Sequence, residues 1–545
     1  MSSNGAQGGG YSAAPAISAD GRFCAFESSS GLVASDTNGS TDIYVRDGVS
    51  GVVVRASVGP AGVDANQICL RPSVSADGRL VAFDSLSNNL VASDNNHVID
   101  VFVRDTQAGT TARVSVDSSG AQATAASTSA AISADGRRVA FTSSASNLVP
   151  VDTNFADDVF VHDLQTGATE RISVSSSGAQ GNAWSGVAAV SSDARYVVFE
   201  SLASTLVAGD TNGVDDVFVH DRQTGATARV SVSSSGAQSN GASYSAAVSA
   251  DGRFVLFTSD ATNLVPGDTN NASDVFLRDR QTSATTRVST NSGGAQSNGG
   301  SQLPSLSSDG HFVAFQSAAT NLVPGDTNNC DDVFARDLTT GSLTRASVST
   351  AGAQGNASGG SARLSLDGRF LAFQSFASNL VAGDTNAMAD IFVRDRGAAQ
   401  PIVFCTAGTT SHGCVPSIAA SGTPSASSGS GFTISVSALE GQRPAMLFYG
   451  ISNAGFTPSA WGSSSSFLCV KSPKQRTGVH NSGGANNACN GTFAIDWNAY
   501  IASHPTALGV PFASGQHVYA QVWFRDPPSP KTTMLSNALE FVVAP

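Results

Sequence analysis

Seven short loops carry the residues of this chain best suited to chemistry. Each holds an Asp, an Asn two residues on, and a second Asp four residues after that. The sets are Asp36, Asn38 and Asp42; Asp94, Asn96 and Asp100; Asp152, Asn154 and Asp158; and Asp210, Asn212 and Asp216. Three more follow: Asp268, Asn270 and Asp274; Asp326, Asn328 and Asp332; and Asp384, Asn386 and Asp390. Hard oxygen ligands at alternate positions of a tight loop suit Ca²⁺, which takes six to eight oxygens in flexible geometry. The next alternate position is not an acid, since Ser40, Val98, Ala156, Val214, Ala272, Cys330 and Met388 stand there. Backbone carbonyls or waters would have to complete such a shell. Extra carboxylates at Asp157, Asp215 and Asp331 make the third, fourth and sixth loops the best candidates. The competing reading is structural: Asp and Asn form Asx-turns that bond their own backbone two residues on.

Other reactive patterns are sparse. An Asp ending one strand and an Arg in the next, such as Asp221 and Arg229, read as a cross-strand ion pair on an outer edge. The eight histidines are scattered, with no H-E-x-x-H zinc motif. No G-x-S-x-G elbow is present, which excludes a serine hydrolase of the α/β type. Lysine occurs only at Lys471, Lys474 and Lys531, so the first 400 residues hold no Schiff-base or P-loop lysine. The enzymatic alternative is a polysaccharide lyase or hydrolase that uses paired carboxylates.

The loops recur because the chain repeats. Successive loop acids, from Asp36 to Asp384, are 58 residues apart, and so are the acids ending V-F-V-R-D, from Asp47 to Asp395. Within one unit (residues 243–291) the pattern is SYSAAVS, a turn at Asp251-Gly252, RFVLFTS, the Asp-Asn loop, DVFLRD, and TTRVST. Asp-Gly between apolar runs predicts a type I′ hairpin turn. Each unit therefore predicts four short strands and no helix. Such a sheet cannot cover both faces by itself, and radial stacking buries them against neighbours. The aromatic residues of the second strand (Phe26 to Phe373) and of the third (Tyr44 to Phe392) fit a core between the sheets.

S-A-D-G-R-x-x-A-F…D-V-F-V-R-D resembles the TolB-type propeller repeat, S-P-D-G-x-x-x-A-F…D-I-Y-x-x-D, over residues of about 10 to 404. The resemblance implies an all-β fold, a seven-bladed β-propeller of four-stranded blades. It does not extend to function, because the family's N-terminal α/β domain has no counterpart and Ala, Ser or Leu replaces its Pro. The loop spacing is likewise similar to the start of EF-hand and integrin-type FG-GAP loops, without the closing Glu. The expected division is a propeller over 1–404, with Pro401–Phe404 as the last fourth strand. A Ser/Gly/Pro-rich linker follows over 405–431, then a cysteine-containing β-sandwich-like domain over 432–545. That last part looks like a module appended to secreted proteins of environmental bacteria.

Cys405, Cys414, Cys469 and Cys489 cluster in this last quarter. An even count in a Gly/Ser-rich β domain predicts two disulfides and an oxidising compartment. Proximity pairs Cys405 with Cys414 and Cys469 with Cys489, although four cysteines allow three connectivities. Net charge is −13 with 13% charged residues, which excludes the basic stripe of a nucleic-acid binder. No apolar run reaches the roughly 18 residues of a membrane helix. The opening MSSNGAQGGG is polar and matches the inter-repeat segment SSSGAQSNG, so an export signal is expected upstream. The expected protein is extracellular, periplasmic or at the cell surface, and monomeric. It binds a peptide, glycan or envelope component, or serves as a purely structural adhesion part.

Overall fold

The computed structural model describes residues 1–397, 402–404, 407, 409–410, 412–425, 428–452, 459–460, 467–512, 516–526 and 533–543. The chain divides into two compact units, Met1–Arg396 and Gly397–Pro545.

In the first unit each repeat folds as one antiparallel sheet whose strands lie in sequence order. Blade four shows how the residues do this. Its strands are Ser185–Val190, Tyr196–Ser201, Asp216–Asp221 and Ala226–Arg229. Alternation sends Val198 and Val217 to the core while Phe199 stacks on Phe218, with ring centroids 5.7 Å apart. The same aromatic pair recurs in every blade, from Phe26–Tyr44 to Phe373–Phe392. Neighbouring sheets share these faces: Val198 and Val217 of blade four pack with Phe257 and Phe276 of blade five. Each buried Phe contributes about 1.5–3 kcal/mol.

The ring closes. Ala372 of blade seven joins the core of Cys24, Phe26 and Tyr44 in blade one. A circle of backbone hydrogen bonds runs from Ala19 to Ala76 at 2.9 Å and from Ala76 to Ala134 at 3.0 Å. It ends with Ser308 donating to Leu366 and Leu366 back to Ala19, both at 3.0 Å. Seven blades thus surround one axis.

Two expectations fail locally. The Asp251-Gly252 turn is not type I′, because only Gly252 has positive φ (+71°). Gly252 N–H bonds Ser249 C=O at 3.0 Å instead, and Asp251 Oδ1 accepts Arg253 N–H at 2.9 Å. A Cβ on Gly252 would lie 2.0 Å from the Tyr196 ring of the preceding blade, so close packing also demands glycine. Blade seven is the second failure. It has three described strands, Gly359–Leu364, Phe370–Ser375 and Asp390–Asp395. Ile402–Phe404, the expected fourth, pairs with Thr533–Val542 of the second unit, Val403 opposite Leu539. Pro401 lies outside the described residues.

Among the described residues the second unit is a β fold of two main sheets and one two-stranded pair, Ser459–Ala460 with Phe467–Leu468. The larger sheet orders Ile402–Phe404, Thr533–Val542, His517–Arg525, Pro444–Gly450 and Gln475–Arg476, with His480–Asn481 also on Pro444–Gly450. The smaller orders Ser417–Gly422, Phe432–Leu439 and Gly491–Asp496. The expected linker therefore contains a strand, and the unit boundary falls at Arg396/Gly397 rather than after 404. A helix unseen in the sequence, Trp497–Ser503, is capped by Asp496, which accepts Ala499 N–H at 3.0 Å. Seven residues are too few for a helical period to show, and tertiary packing of Trp497 against Phe432, Phe512 and Phe541 holds the helix.

The cysteine pairing is also corrected. Cys414 is bonded to Cys489, and Cys469 is disulfide-bonded as well. Cys405 lies outside the described residues. Sequence proximity misleads here because the sheet brings the two cysteines together across 75 residues.

Candidate functional site

The Asp-Asn loops form a buried polar frame. In blade four, Arg229 Nη1 lies 3.2 Å from Asp210 Oδ1 and 3.1 Å from Asp216 Oδ2. Gln238 Nε2 donates to the same two carboxylates at 2.8 and 3.2 Å, and Asn212 Nδ2 to Asp216 at 3.1 Å. Ser231 and Ser239 hydroxyls donate to Asp216 Oδ1 at 2.5 and 2.9 Å. Asn212 Oδ1 accepts Val214 N–H at 3.3 Å, which is the Asx-turn. Arginines 55, 113, 171, 287 and 345 do the same in blades one, two, three, five and six. Every group aimed at the carboxylates is thus an N–H or O–H donor, and a guanidinium stands where a cation would. Ca²⁺ requires oxygens in those places. Of the extra acids, Asp331 accepts Gln316 Nε2 at 2.9 Å, and Asp215 is pushed up by burial and by the charge of Asp216. Among the described residues, no three acidic, His or Cys side chains gather for a metal.

The expected Asp221–Arg229 pair does not form. Register places Arg229 opposite Phe218 and Ala226 opposite Asp221. Asp221 instead binds Arg195, from the D-x-R of the hairpin, through Nε at 2.9 Å and Nη2 at 2.8 Å. That contact holds the Asp221 carboxyl well below the usual carboxylate range.

A second polar constellation lies in the channel. On the face of the hairpin turns the channel narrows to a cavity of about 160 Å³, lined from all seven blades by residues such as Ile17, Ala76, Val190 and Leu366. Further along, two larger cavities of about 410 and 350 Å³ share Arg363. Their walls are the first strands, which bulge at Arg71, Ser129, Ser245, Leu303 and Ser361, all with φ between +50° and +58°. The bulge turns a backbone N–H toward the neighbouring blade, where an acid receives it. Arg71 N–H bonds Glu27 Oε2 at 2.8 Å, Ser129 N–H bonds Asp84 Oδ2 at 2.9 Å, and Ser245 N–H bonds Glu200 Oε1 at 2.6 Å. Burial pushes Asp84 up to about 6 and Glu200 up to about 7, the latter helped by Asp215. Arg71 Nε lies 3.4 Å from Asp84 Oδ2. Arg363 is exposed in the channel and donates to the carbonyl of its chain neighbour, Ala362 O, at 2.9 Å. No acid pairs with it among the described residues, and Glu200 lines one of the same cavities.

Sequence reasoning missed these residues, yet a signal existed. Aligned by repeat, the Arg363 position reads Ala16, Ser73, Ala131, Ala189, Ala247, Ser305, Arg363. The position before the first strand reads Tyr11, Ile68, Ala126, Trp184, Ala242, Gly300, Ser358. Near-identical blades thus diverge along the strands that line the channel.

Because the folded pKa values of Asp84 and Glu200 are raised, protonation favours the folded state. Their contribution is fully present below the unfolded values near 4 and is lost as pH rises through 6 and 7. Stability should therefore fall by roughly 5 kcal/mol between pH 4.5 and 8 from this source. The Asp84→Asn/Glu200→Gln variant should flatten that slope in urea unfolding. An unchanged slope would place the titration elsewhere.

Fold and site together define a β-propeller with a lined channel, followed in the chain by a β unit. Among solved structures the chain is similar to TolB from Acinetobacter baumannii, at 14% identity and TM-score 0.33, covering 56% of this chain and 59% of that one. It is also similar to a putative TolB from Agrobacterium tumefaciens, at 15% identity and TM-score 0.33 over 51% and 80% of the two chains. The acylaminoacyl peptidase of Pyrococcus horikoshii matches at 9% identity and TM-score 0.42, over 79% of this chain and 59% of that one. The chain thus spans about three fifths of the first and third of these proteins. No family model and no curated protein matches.

Proposed function

We propose that this chain is an exported binding protein that takes a carboxylate-bearing peptide, glycan or envelope component in the channel mouth. The observation that carries the reading is Arg363, a guanidinium in the shared wall of two cavities with no acid paired to it among the described residues. An unpaired guanidinium exposed in the channel is free to take an anionic ligand, and arginine grips a carboxylate through two parallel N–H bonds. Trp184 and Tyr244, near the start of the first strands, supply apolar surface for a sugar face or a side chain. A disulfide in the second unit supports an oxidising compartment. Among the described residues, no helix is long and apolar enough to cross a membrane.

The test is a panel of acidic and neutral peptides and glycans. Binding should select a carboxylate ligand, and Arg363→Ala should weaken it about tenfold or more. Selection of neutral ligands, or indifference to Arg363→Ala, would overturn the reading. A second reading, a lyase or hydrolase, draws on Glu200, held near neutrality in the cavity that Arg363 shares. It requires product formation from the bound glycan that Glu200→Gln abolishes while binding persists.

We propose separately that a guanidinium takes the place of calcium at the Asp-Asn loops. The donor-filled frame sets its expected outcome: Tm should differ by less than about 1 °C between millimolar Ca²⁺ and chelator. A rise in Ca²⁺ that chelator reverses would place the cation in the loops.

A further inference from the structure

Blade six shows how one pair of side chains on this face of the propeller is satisfied. Gln316, on the second strand, donates through Nε2 to Asp331 Oδ2 at 2.9 Å. Two repeats earlier the same positions hold Glu200 and Asp215, so an acid stands where the amide donor would be. No other donor takes its place among the described residues. Glu200 Oε1 accepts Ser245 N–H at 2.6 Å, and Asp215 Oδ1 is buried without a hydrogen-bond partner. Burial and the charge of Asp215 both disfavour an ionised Glu200, while burial and Asp216 do the same to Asp215. A cation between the two acids would relieve both.

The wall beside this pair is aromatic. Gly186 lies opposite Glu200 in the sheet, and the Trp184 ring covers it so closely that a Cβ there would stand 2.7 Å from Trp184 Cζ2. Tryptophan occurs at this repeat position in blade four alone. Among the described residues no third acidic, His or Cys side chain joins the two acids to hold a metal. An ammonium group needs fewer oxygens and is attracted to an indole face. The acids of the other cavity are differently placed, since Asp84 has Arg71 Nε at 3.4 Å and accepts Ser129 N–H at 2.9 Å.

We propose that Glu200, Asp215 and Trp184 form a subsite for a protonated amine, so that the channel ligand is zwitterionic. Its amine lies against Glu200, and its carboxylate reaches Arg363 across the same cavity of about 350 Å³. The carboxylate end rests on the channel reading given above, whereas the amine end rests on the acid pair of blade four.

The probe is tri-alanine in four forms, with the amine free or acetylated and the carboxylate free or amidated, titrated calorimetrically against the full chain. At about pH 7.5 the terminal amine and Glu200 are both mostly charged. The free form should bind most tightly, and acetylation should weaken it by roughly tenfold. Glu200→Gln should cost the free form a similar factor and leave the acetylated form unchanged, since both changes remove one contact. The substitution reproduces the Gln316–Asp331 pair of blade six, so the sheet should keep its fold. If acetylation and Glu200→Gln have no effect while amidation and Arg363→Ala still weaken binding, the amine subsite is wrong and the carboxylate reading stands. If amidation and Arg363→Ala have no effect while acetylation weakens binding, the amine subsite stands and the carboxylate reading falls. Equal losses from the free and acetylated forms in Glu200→Gln would overturn the subsite, because Glu200 would then act on the cavity and not on the amine. No binding of the free form by about 10 mM would overturn it as well.

Discussion

Replacing Arg229 with methionine should destabilise the propeller by about 3–5 kcal/mol, because it leaves buried carboxylates without their counter-charge. Asp216 is fully buried, and the Arg229 side chain is 10% exposed, so water cannot replace the guanidinium. Protonating or neutralising the acids should recover much of the loss. The triple variant Arg229→Met/Asp210→Asn/Asp216→Asn is therefore expected to be more stable than Arg229→Met alone. Urea unfolding measures both, and hydrogen exchange should place the loosening in blade four. A single variant within about 0.5 kcal/mol of the parent would show that the pair is solvated and contributes little.

Reducing the Cys414–Cys489 bond is expected to cost the second unit about 4 kcal/mol, from the entropy of the loop it closes over 75 residues. The effect should be confined. The seven blades contain no disulfide, and Cys24, Cys69 and Cys330 are free thiols. Burial pushes Cys24 and Cys69 up to about 12, so neither offers a thiolate for exchange at neutral pH. Calorimetry with and without reductant should show one transition moving down sharply while another holds. The Cys414→Ser/Cys489→Ser variant should show this bond's share of the shift without reductant, the remainder coming from the disulfide of Cys469. If both transitions moved together, the cost of reduction would not be confined to the second unit.

Much of the fold was legible before any coordinates. A 58-residue step, strand-period alternation and one aromatic pair per unit are local signals repeated seven times, so their physics shows within a single repeat. The candidate site was legible only in part. Asp210, Asn212 and Asp216 do form one polar frame, but their partners Arg229 and Gln238 come from 13 to 28 residues downstream. Strand register selects those partners, and register is invisible in composition. The channel residues Asp84, Glu200 and Arg363 were overlooked because they stand at positions that vary from repeat to repeat and gain meaning only when the blades face a common axis.

The chain by itself determined that equal β units would stack, since each carries apolar residues on both faces and too few residues to cover them. Tertiary structure alone decided which charge meets which, that Cys414 joins Cys489, and that Ile402–Phe404 leaves blade seven for the second unit. It also brought Gln7 to Asp384 across 377 residues. Those outcomes depend on ring closure and sheet register, which are set by the sum of all packing contacts and by no single segment.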